Sequence, residues 1–331
     1  MQHAPEQAIE LAKVAEAIEA RVQDKHQLPL LEHRIATVLV FAGKLDDAIP
    51  KFERAIAGFA AEGNVHDEAV SIGGEANAYA GRDGAKQREL LERAVALLAN
   101  TPHSQLQLAG ELSELGIAYT DAKRFDDADA TLRRALAAMG DGADEPSLVA
   151  AIHGNLGDVA QGRGDLAGAE REYRAGLDLA RAKLGTDVSD VELAAYNLGQ
   201  LESKRGEYAD ALAALHESLG ILQRAPREAA ENTDYAGPGT LARALVTDEL
   251  ATGNAARALA DAEACLALAE RDAARSGTLA DVHFALATAA WAAGARGRAR
   301  AVMTAAAAEY RAANASPDNA DAWLAAHRAA D

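Results

Sequence analysis

The sequence predicts an all-α protein, a solenoid of antiparallel helix pairs. Three observations carry this reading. Ala, Leu, Glu and Arg, all strong helix formers, fill the chain from end to end. Aromatic residues make up only 4% of the sequence, and few stretches are rich enough in Val, Ile, Thr and aromatics to build a sheet core. A pattern of small and large residues also returns about every 42 residues. At 331 residues the chain is about twice the ordinary single-domain length, which suits two domains or one elongated array. Ala-rich helices carry small side chains, so they must approach closely to bury enough surface, as stacked pairs do.

The repeat is clearest in the middle of the chain. Leu112, Leu115-Gly116 and Tyr119 are followed nine residues later by Ala128, then by Leu132 and Ala135. The series returns as Leu156-Gly157, Ala160, Ala169, Tyr173 and Gly176, and again as Leu198-Gly199, Glu202, Ala211, Leu215 and Ser218. Weaker copies flank these three. Ile35-Ala36, Leu39, Gly43, Ala48, Phe52 and Ala55 form one, and Gly73-Gly74, Asn77, Gly81, Leu91 and Ala94 another. Leu245, Glu249, Gly253, Ala258, Ala262 and Cys265 form a third; Leu286-Ala287, Ala290, Gly294, Ala299, Met303 and Ala306 form the last. The predicted organisation is a single α-solenoid over 1–331. It has an N-terminal helix in 1–28, repeats at 29–66, 67–108, 109–149, 150–191, 192–238, 239–279 and 280–315, and a C-terminal capping helix in 316–331.

The pattern has a physical meaning. The Gly or Ala after Leu sits where the first helix of a pair crosses the second, and a side chain there would force them apart. The Ala nine residues past the Tyr position lies across the same crossing. The large residue four further on shares its face and fills the gap to the next pair. Gly43-Lys44, Gly164-Asp165, Gly206-Glu207 and Gly253-Asn254 mark the turns, Gly supplying the positive φ that ends the first helix. Asp46-Asp47, Asp126-Asp127 and Asp165 mark the start of the second helix, where carboxylates meet unpaired N–H groups and the positive end of the dipole. The stretch from Ala225-Pro226 to Pro238-Gly239 is the longest break and the expected hinge.

Composition narrows the partners. The net charge is −18 and the pI about 4.9. Such a chain repels nucleic-acid phosphate and anionic lipid surfaces, so neither nucleic acid nor membrane is expected, while a basic protein partner is allowed. Cys265 is the single cysteine, so no internal disulfide forms. The segment Met1-Gln2-His3-Ala4-Pro5-Glu6 does not read as a signal peptide. Apolar runs such as Ile35 to Ala42 are far short of the roughly 20 residues a bilayer requires. A cytoplasmic location is expected, and the oligomeric state is left open.

These residues resemble the tetratricopeptide signature, in its longer form of about 42 residues, similar to the repeats of kinesin light chains and their bacterial relatives. Lys183-Leu184-Gly185-Thr186-Asp187-Val188-Ser189-Asp190-Val191 matches the loop between pairs in that form but lacks its Asp-His-Pro segment. The C-terminal segments His283-Phe284-Ala285-Leu286-Ala287 to Trp291, Arg296 to Met303, and Asp321-Ala322-Trp323-Leu324-Ala325-Ala326-His327 resemble the repeat region that follows the catalytic domain in large bacterial serine/threonine protein kinases of the myxobacterial type. The resemblance implies a right-handed superhelix whose first helices line a concave, non-catalytic protein- or peptide-binding groove. Two functions follow from it: a binding scaffold, as the interaction region of a bacterial serine/threonine kinase system, or a regulatory sensor in which a signalling peptide or small ligand controls a fused or partner effector.

The groove positions of that family fall here on Asn155, Asp158, Tyr196, Asn197, Gln200, Lys204, Arg243 and Thr247, with Glu114, Ile117 and Asp121 earlier on the same surface. Asn155 and Asn197 occupy the same repeat position. Their carboxamides either grip the main chain of an extended peptide or bond only water or a neighbour. The Lys, Asn and Arg clamp that some relatives use on a C-terminal carboxylate is not reproduced. The sequence has no Gly-x-Gly-x-x-Gly, His-Arg-Asp or Asp-Phe-Gly, and no phosphate-loop or His-Glu-x-x-His pattern. No enzyme, cofactor or metal is therefore expected. Cys265 reads as a core residue, Arg163-Gly164-Asp165 as an ordinary interhelix turn, and Trp291 and Trp323 as partner anchors or, in preference, as a cap on the last apolar face.

Overall fold

A computed structural model describes residues 10, 14, 27–140, 145–186, 188–225, 237–271 and 276–327. The described residues form helices and turns without strands. The helices are α1 (Leu28–Phe41), α2 (Leu45–Glu62), α3 (Val65–Tyr79), α4 (Gly84–Leu98), α5 (Gln105–Asp121), α6 (Phe125–Met139), α7 (Pro146–Gly162) and α8 (Leu166–Leu184). They continue with α9 (Ser189–Arg205), α10 (Tyr208–Arg224), α11 (Gly237–Ala251), α12 (Ala255–Arg271), α13 (Ser276–Ala292), α14 (Arg296–Ala312) and α15 (Asp318–Ala326). The fold is the all-α helix-pair solenoid that the periodicity predicts. Of the N-terminal helix expected in 1–28, only Glu10, Val14, Gln27 and Leu28 are described; Glu10 and Val14 are helical, and Leu28 opens α1. The expected hinge lies mostly outside them as well.

The chain divides into two compact units, Met1–Ala169 and Glu170–Asp331, the division falling near the start of α8. In the first unit α1 packs on α2, α3 on α4 and α5 on α6, and each second helix also packs on the first helix that follows it. Ile35, Phe52, Ile72, Leu91, Leu112, Leu132, Ile152 and Leu156 make its continuous core. In the second unit α9 packs on α10, α11 on α12 and α13 on α14. Its core runs through Leu215, Leu241, Leu245, Leu268, Val282 and Leu286.

The crossings show why small residues recur. A Cβ on Gly116 would stand 2.5 Å from Leu132 Cγ, and one on Gly199 would stand 2.8 Å from Leu215 Cγ. Ala48, Ala128, Ala169, Ala211, Ala258 and Ala299 all occupy the matching site on the second helix, and none has any exposed surface. The turns follow the glycines. Gly206, with φ of 77°, closes α9, and the next residue returns the Glu207 N–H to Glu202 O at 2.9 Å, the bond pattern of a left-handed C-cap. Helix starts are capped by side chains that accept backbone N–H groups: Asn64 from Asp67, Asp83 from Ala85 and Lys86, and Asp165 from Gly168. Asp46-Asp47 and Asp126-Asp127 lie in the first turns of α2 and α6, where the dipole favours them.

Gly116→Leu should destabilise the fold by about 1–3 kcal/mol through overpacking against Leu132. Ala128→Asp, which places an unpaired charge at a fully buried site, should destabilise it by several kcal/mol. Urea denaturation followed by circular dichroism measures both; parent-like midpoints would show that these residues do not form the crossing.

Candidate functional site

All eight residues predicted to face a ligand lie on first helices of pairs. Asn155 and Asp158 are on α7 in the first unit. Tyr196, Asn197, Gln200 and Lys204 are on α9, and Arg243 and Thr247 are on α11, in the second. Their surroundings differ. Asn155 is half-buried, and its Nδ2 donates to Ser113 Oγ on α5 at 3.1 Å, so its carboxamide bonds a neighbour. Asp158 is exposed. Arg243 is committed to Asp281 of α13, with Nη1 at 3.1 Å from Oδ1, and its guanidinium lies over the Phe284 ring at 5.7 Å. Thr247 Oγ1 donates to its own helix at Arg243 O, 2.7 Å away. Tyr196 packs against the second unit's core. Burial raises its phenol pKa, opposed by a hydrogen bond to Thr240 and by the charge of Arg243. Tyr196, Thr240, Arg243 and Asp281 thus form one linked group, joined by Tyr310, whose hydroxyl donates to Asp281 Oδ1 at 2.6 Å. Burial and that bond hold the Tyr310 phenol well above its ordinary range. Asn197 and Gln200 are half-buried and Lys204 is exposed.

The first unit holds a feature that residue spacing did not single out. The Glu111 carboxyl on α5 lies over Gly73 of α3, where any Cβ would overlap it. Its Oε2 is buried and has no hydrogen-bond partner among the described residues. Burial, then the neighbouring charge of Glu114, pushes the Glu111 carboxyl up to about 8. Glu114 is exposed by area, yet desolvation raises its pKa too. Glu111 and Glu114 are three residues apart on one face of α5. Gly110 and Glu114 are one helical turn apart on α5, as are Gly154 and Asp158 on α7. Nothing lies within 4 Å of a Cβ built on Gly110 or Gly154. A glycine inside a helix costs about 1 kcal/mol relative to Ala, and neither position needs glycine for packing. The sequence did carry a signal for Glu111. Gly74 alone makes room for Phe52, so the adjoining Gly73 is surplus to that crossing, and the space it leaves is where Glu111 goes.

Other sequence candidates take structural roles. Arg163 Nη2 donates to Asp126 Oδ1 at 2.6 Å and to Phe125 O at 2.9 Å, while Asp165 caps α8, so the Arg-Gly-Asp turn is part of the helix joint. Cys265 is fully buried, and burial pushes its thiol up to about 12, away from the thiolate that a nucleophile needs. Trp291 meets Trp323 edge-on with ring centroids 5.4 Å apart, and His327 stacks on Trp323 at 4.0 Å. Trp323 and Leu324 of α15 pack on Met303 and Ala307, which covers the last apolar face.

Residues 148–224, from α7 to α10, match the tetratricopeptide repeat family. No curated protein sequence matches the chain. BtubC (BKLC) from P. vanneervenii is similar in structure at 19% identity, with a TM-score of 0.59 over 70% of this chain and 92% of that one. A Podosopora anserina putative kinesin light chain with nearly identical TPR-like repeats is 21% identical, with a TM-score of 0.51 over 62% of this chain and all of that one. A Rap protein complexed with Competence and Sporulation Factor is 17% identical, with a TM-score of 0.56 over 96% of this chain and 81% of that one. At such identities the likeness concerns the fold: a tetratricopeptide-type repeat array.

Proposed function

We propose that the chain is a non-catalytic scaffold that holds an extended segment of another protein against the first helices of its pairs. The Glu111 carboxyl carries this reading. A buried acceptor without a donor is costly, and here it shares a face of α5 with a second desolvated carboxyl, Glu114; on α5 and α7, Gly110 and Gly154 leave open space above their helices. A Lys or Arg side chain reaching this pair would give Glu111 and Glu114 a counter-charge, and Gly110 and Gly154 would let the peptide main chain approach the helices. The partner is therefore a basic peptide segment. Asn155 and Asp158 border this face. Tyr196, Asn197, Gln200, Lys204, Arg243 and Thr247 belong to the corresponding face of the second unit, where Asn197, Gln200 and Lys204 are the groups best placed to meet a ligand.

A second reading is a regulatory sensor governed by a signalling peptide; what favours it is the likeness in fold to a Rap protein complexed with Competence and Sporulation Factor. Service to a bacterial serine/threonine kinase rests on the likeness of the C-terminal segments and belongs to the same proposal, as does a cytoplasmic location. No described helix is long and apolar enough to cross a membrane.

Two measurements test the carboxyl pair. On a peptide array of randomised sequence, the parent should enrich for Lys and Arg, and Glu111→Gln with Glu114→Gln should lose that enrichment; an unchanged profile would remove the pair as the binding site. The free protein should also show the carboxyl's cost. Folding raises the Glu111 pKa from 4.5 to about 8, so the folded state holds the proton more tightly. Its contribution to stability is whole below pH 4.5 and is lost as pH rises through about 8. Glu111→Gln should match the parent at pH 4 and exceed it at pH 9, by urea denaturation; equal stabilities at both values would show that the carboxyl is solvated.

A further inference from the structure

Three side chains from three helices converge inside the second unit. His216 of α10, Glu249 of α11 and Asp261 of α12 each bring one ligand-type atom within 4.8 Å of the other two. His216 Nε2 lies 3.0 Å from Asp261 Oδ2. Glu249 is only 3% exposed and Asp261 7%. Glu249 Oε2 is buried and has no hydrogen-bond partner among the described residues. Its other oxygen is 3.7 Å from Arg257 Nε, too far for a hydrogen bond, and the Arg257 side chain is 62% exposed. The equivalent position in earlier repeats is provided for: Tyr119 donates its hydroxyl to Glu92 at 2.7 Å, and Glu202 accepts from Arg174 at 3.4 Å. Glu249 is the member of that series left with a bare, buried oxygen.

We propose that His216, Glu249 and Asp261 bind a divalent first-row metal ion, with Zn²⁺ the best match. One imidazole nitrogen and two carboxylate oxygens are ligands that Zn²⁺ accepts at about 2.0–2.2 Å. Two carboxylates and a neutral imidazole carry the charge that a divalent cation balances, which meets the need of Glu249 that the protein leaves unmet. Binding requires an unprotonated His216 Nε2, so the ion replaces the direct contact between His216 and Asp261 and releases any proton they share. Three protein ligands leave a fourth position for water or for a partner's side chain. Cys265 follows Asp261 by one turn of α12 but stands outside the ligand group; the site is built of nitrogen and oxygen. The ion would fasten α10, α11 and α12 to one another.

Calorimetric titration of Zn²⁺ into the tag-free, chelator-treated full chain tests the site. One equivalent should bind, and Zn²⁺ should raise the melting temperature. His216→Ala, Glu249→Gln and Asp261→Asn should each weaken affinity at least tenfold, while His66→Ala, in the other unit, should leave it unchanged. Circular dichroism of each variant separates lost ligands from lost fold. Failure of the parent to take up a stoichiometric ion would overturn the site, as would folded His216→Ala binding Zn²⁺ as tightly as the parent.

Discussion

Everything in this fold depends on two helices being allowed to touch. At the crossing of α5 and α6, Gly116 offers no side chain and Leu132 fills the space. At the crossing of α9 and α10, Gly199 and Leu215 repeat the arrangement. The fully buried alanines of the second helices complete it. Such a pair hides only one flank of each helix, so its remaining apolar side must be covered by the next pair. In this sense the period of small residues generates the array, because a crossing that is too close for large side chains leaves those side chains to bridge between pairs.

Close approach has an electrostatic consequence. Neighbouring first helices are joined by short polar contacts: His33 to Ser71 at 3.0 Å, Asn155 to Ser113 at 3.1 Å, Ser203 to Asp248 at 2.6 Å, and Arg243 to Asp281 at 3.1 Å. Each satisfies groups that the packing of the helices has taken from water. The same face is expected to meet a ligand, so its residues divide between those that join helices and those left for a partner. Asn155 and Arg243 join helices in the free protein. A ligand using either must compete with a contact already made, whereas Glu111 has a buried oxygen with nothing to lose.

The sequence displayed the fold far better than the site, for a physical reason. Helix crossings are set by volume, and volume is written in residue type: Gly116, Gly199, Ala128 and Ala211 could be read directly. So could the Gly and Asp residues of the turns, whose backbone roles are local. Site chemistry is set by which residues meet across pairs, and spacing says little about that. Asn155 and Asn197 share a repeat position, yet Asn155 is engaged with Ser113. His216, Glu249 and Asp261 come from three helices, and no local motif relates them. The missing His-Glu-x-x-His pattern gives an expectation of no metal; a group drawn from three helices escapes that criterion. Glu111 could have been found by asking why Gly73 and Gly74 stand together, since one crossing uses one glycine.

The acidity of the chain also reads differently once the acids are placed. A charge of −18 suggests a uniformly anionic surface, but several carboxyls are interior. Glu192 has no exposed surface and accepts from Ser218 Oγ at 2.5 Å; Asp248 is equally buried, and burial raises its pKa. With its pKa near 8, Glu111 is mostly protonated at neutral pH, so the formal charge overstates what a distant partner meets. It understates what a cation would meet at the Glu111–Glu114 pair. A Lys or Arg reaching it would encounter a carboxyl held neutral only by its surroundings, and restoring its charge would release a proton. Binding of the proposed basic segment would thereby be coupled to pH, and the coupling would arise from burial of the carboxyl, not from the total number of acids in the chain.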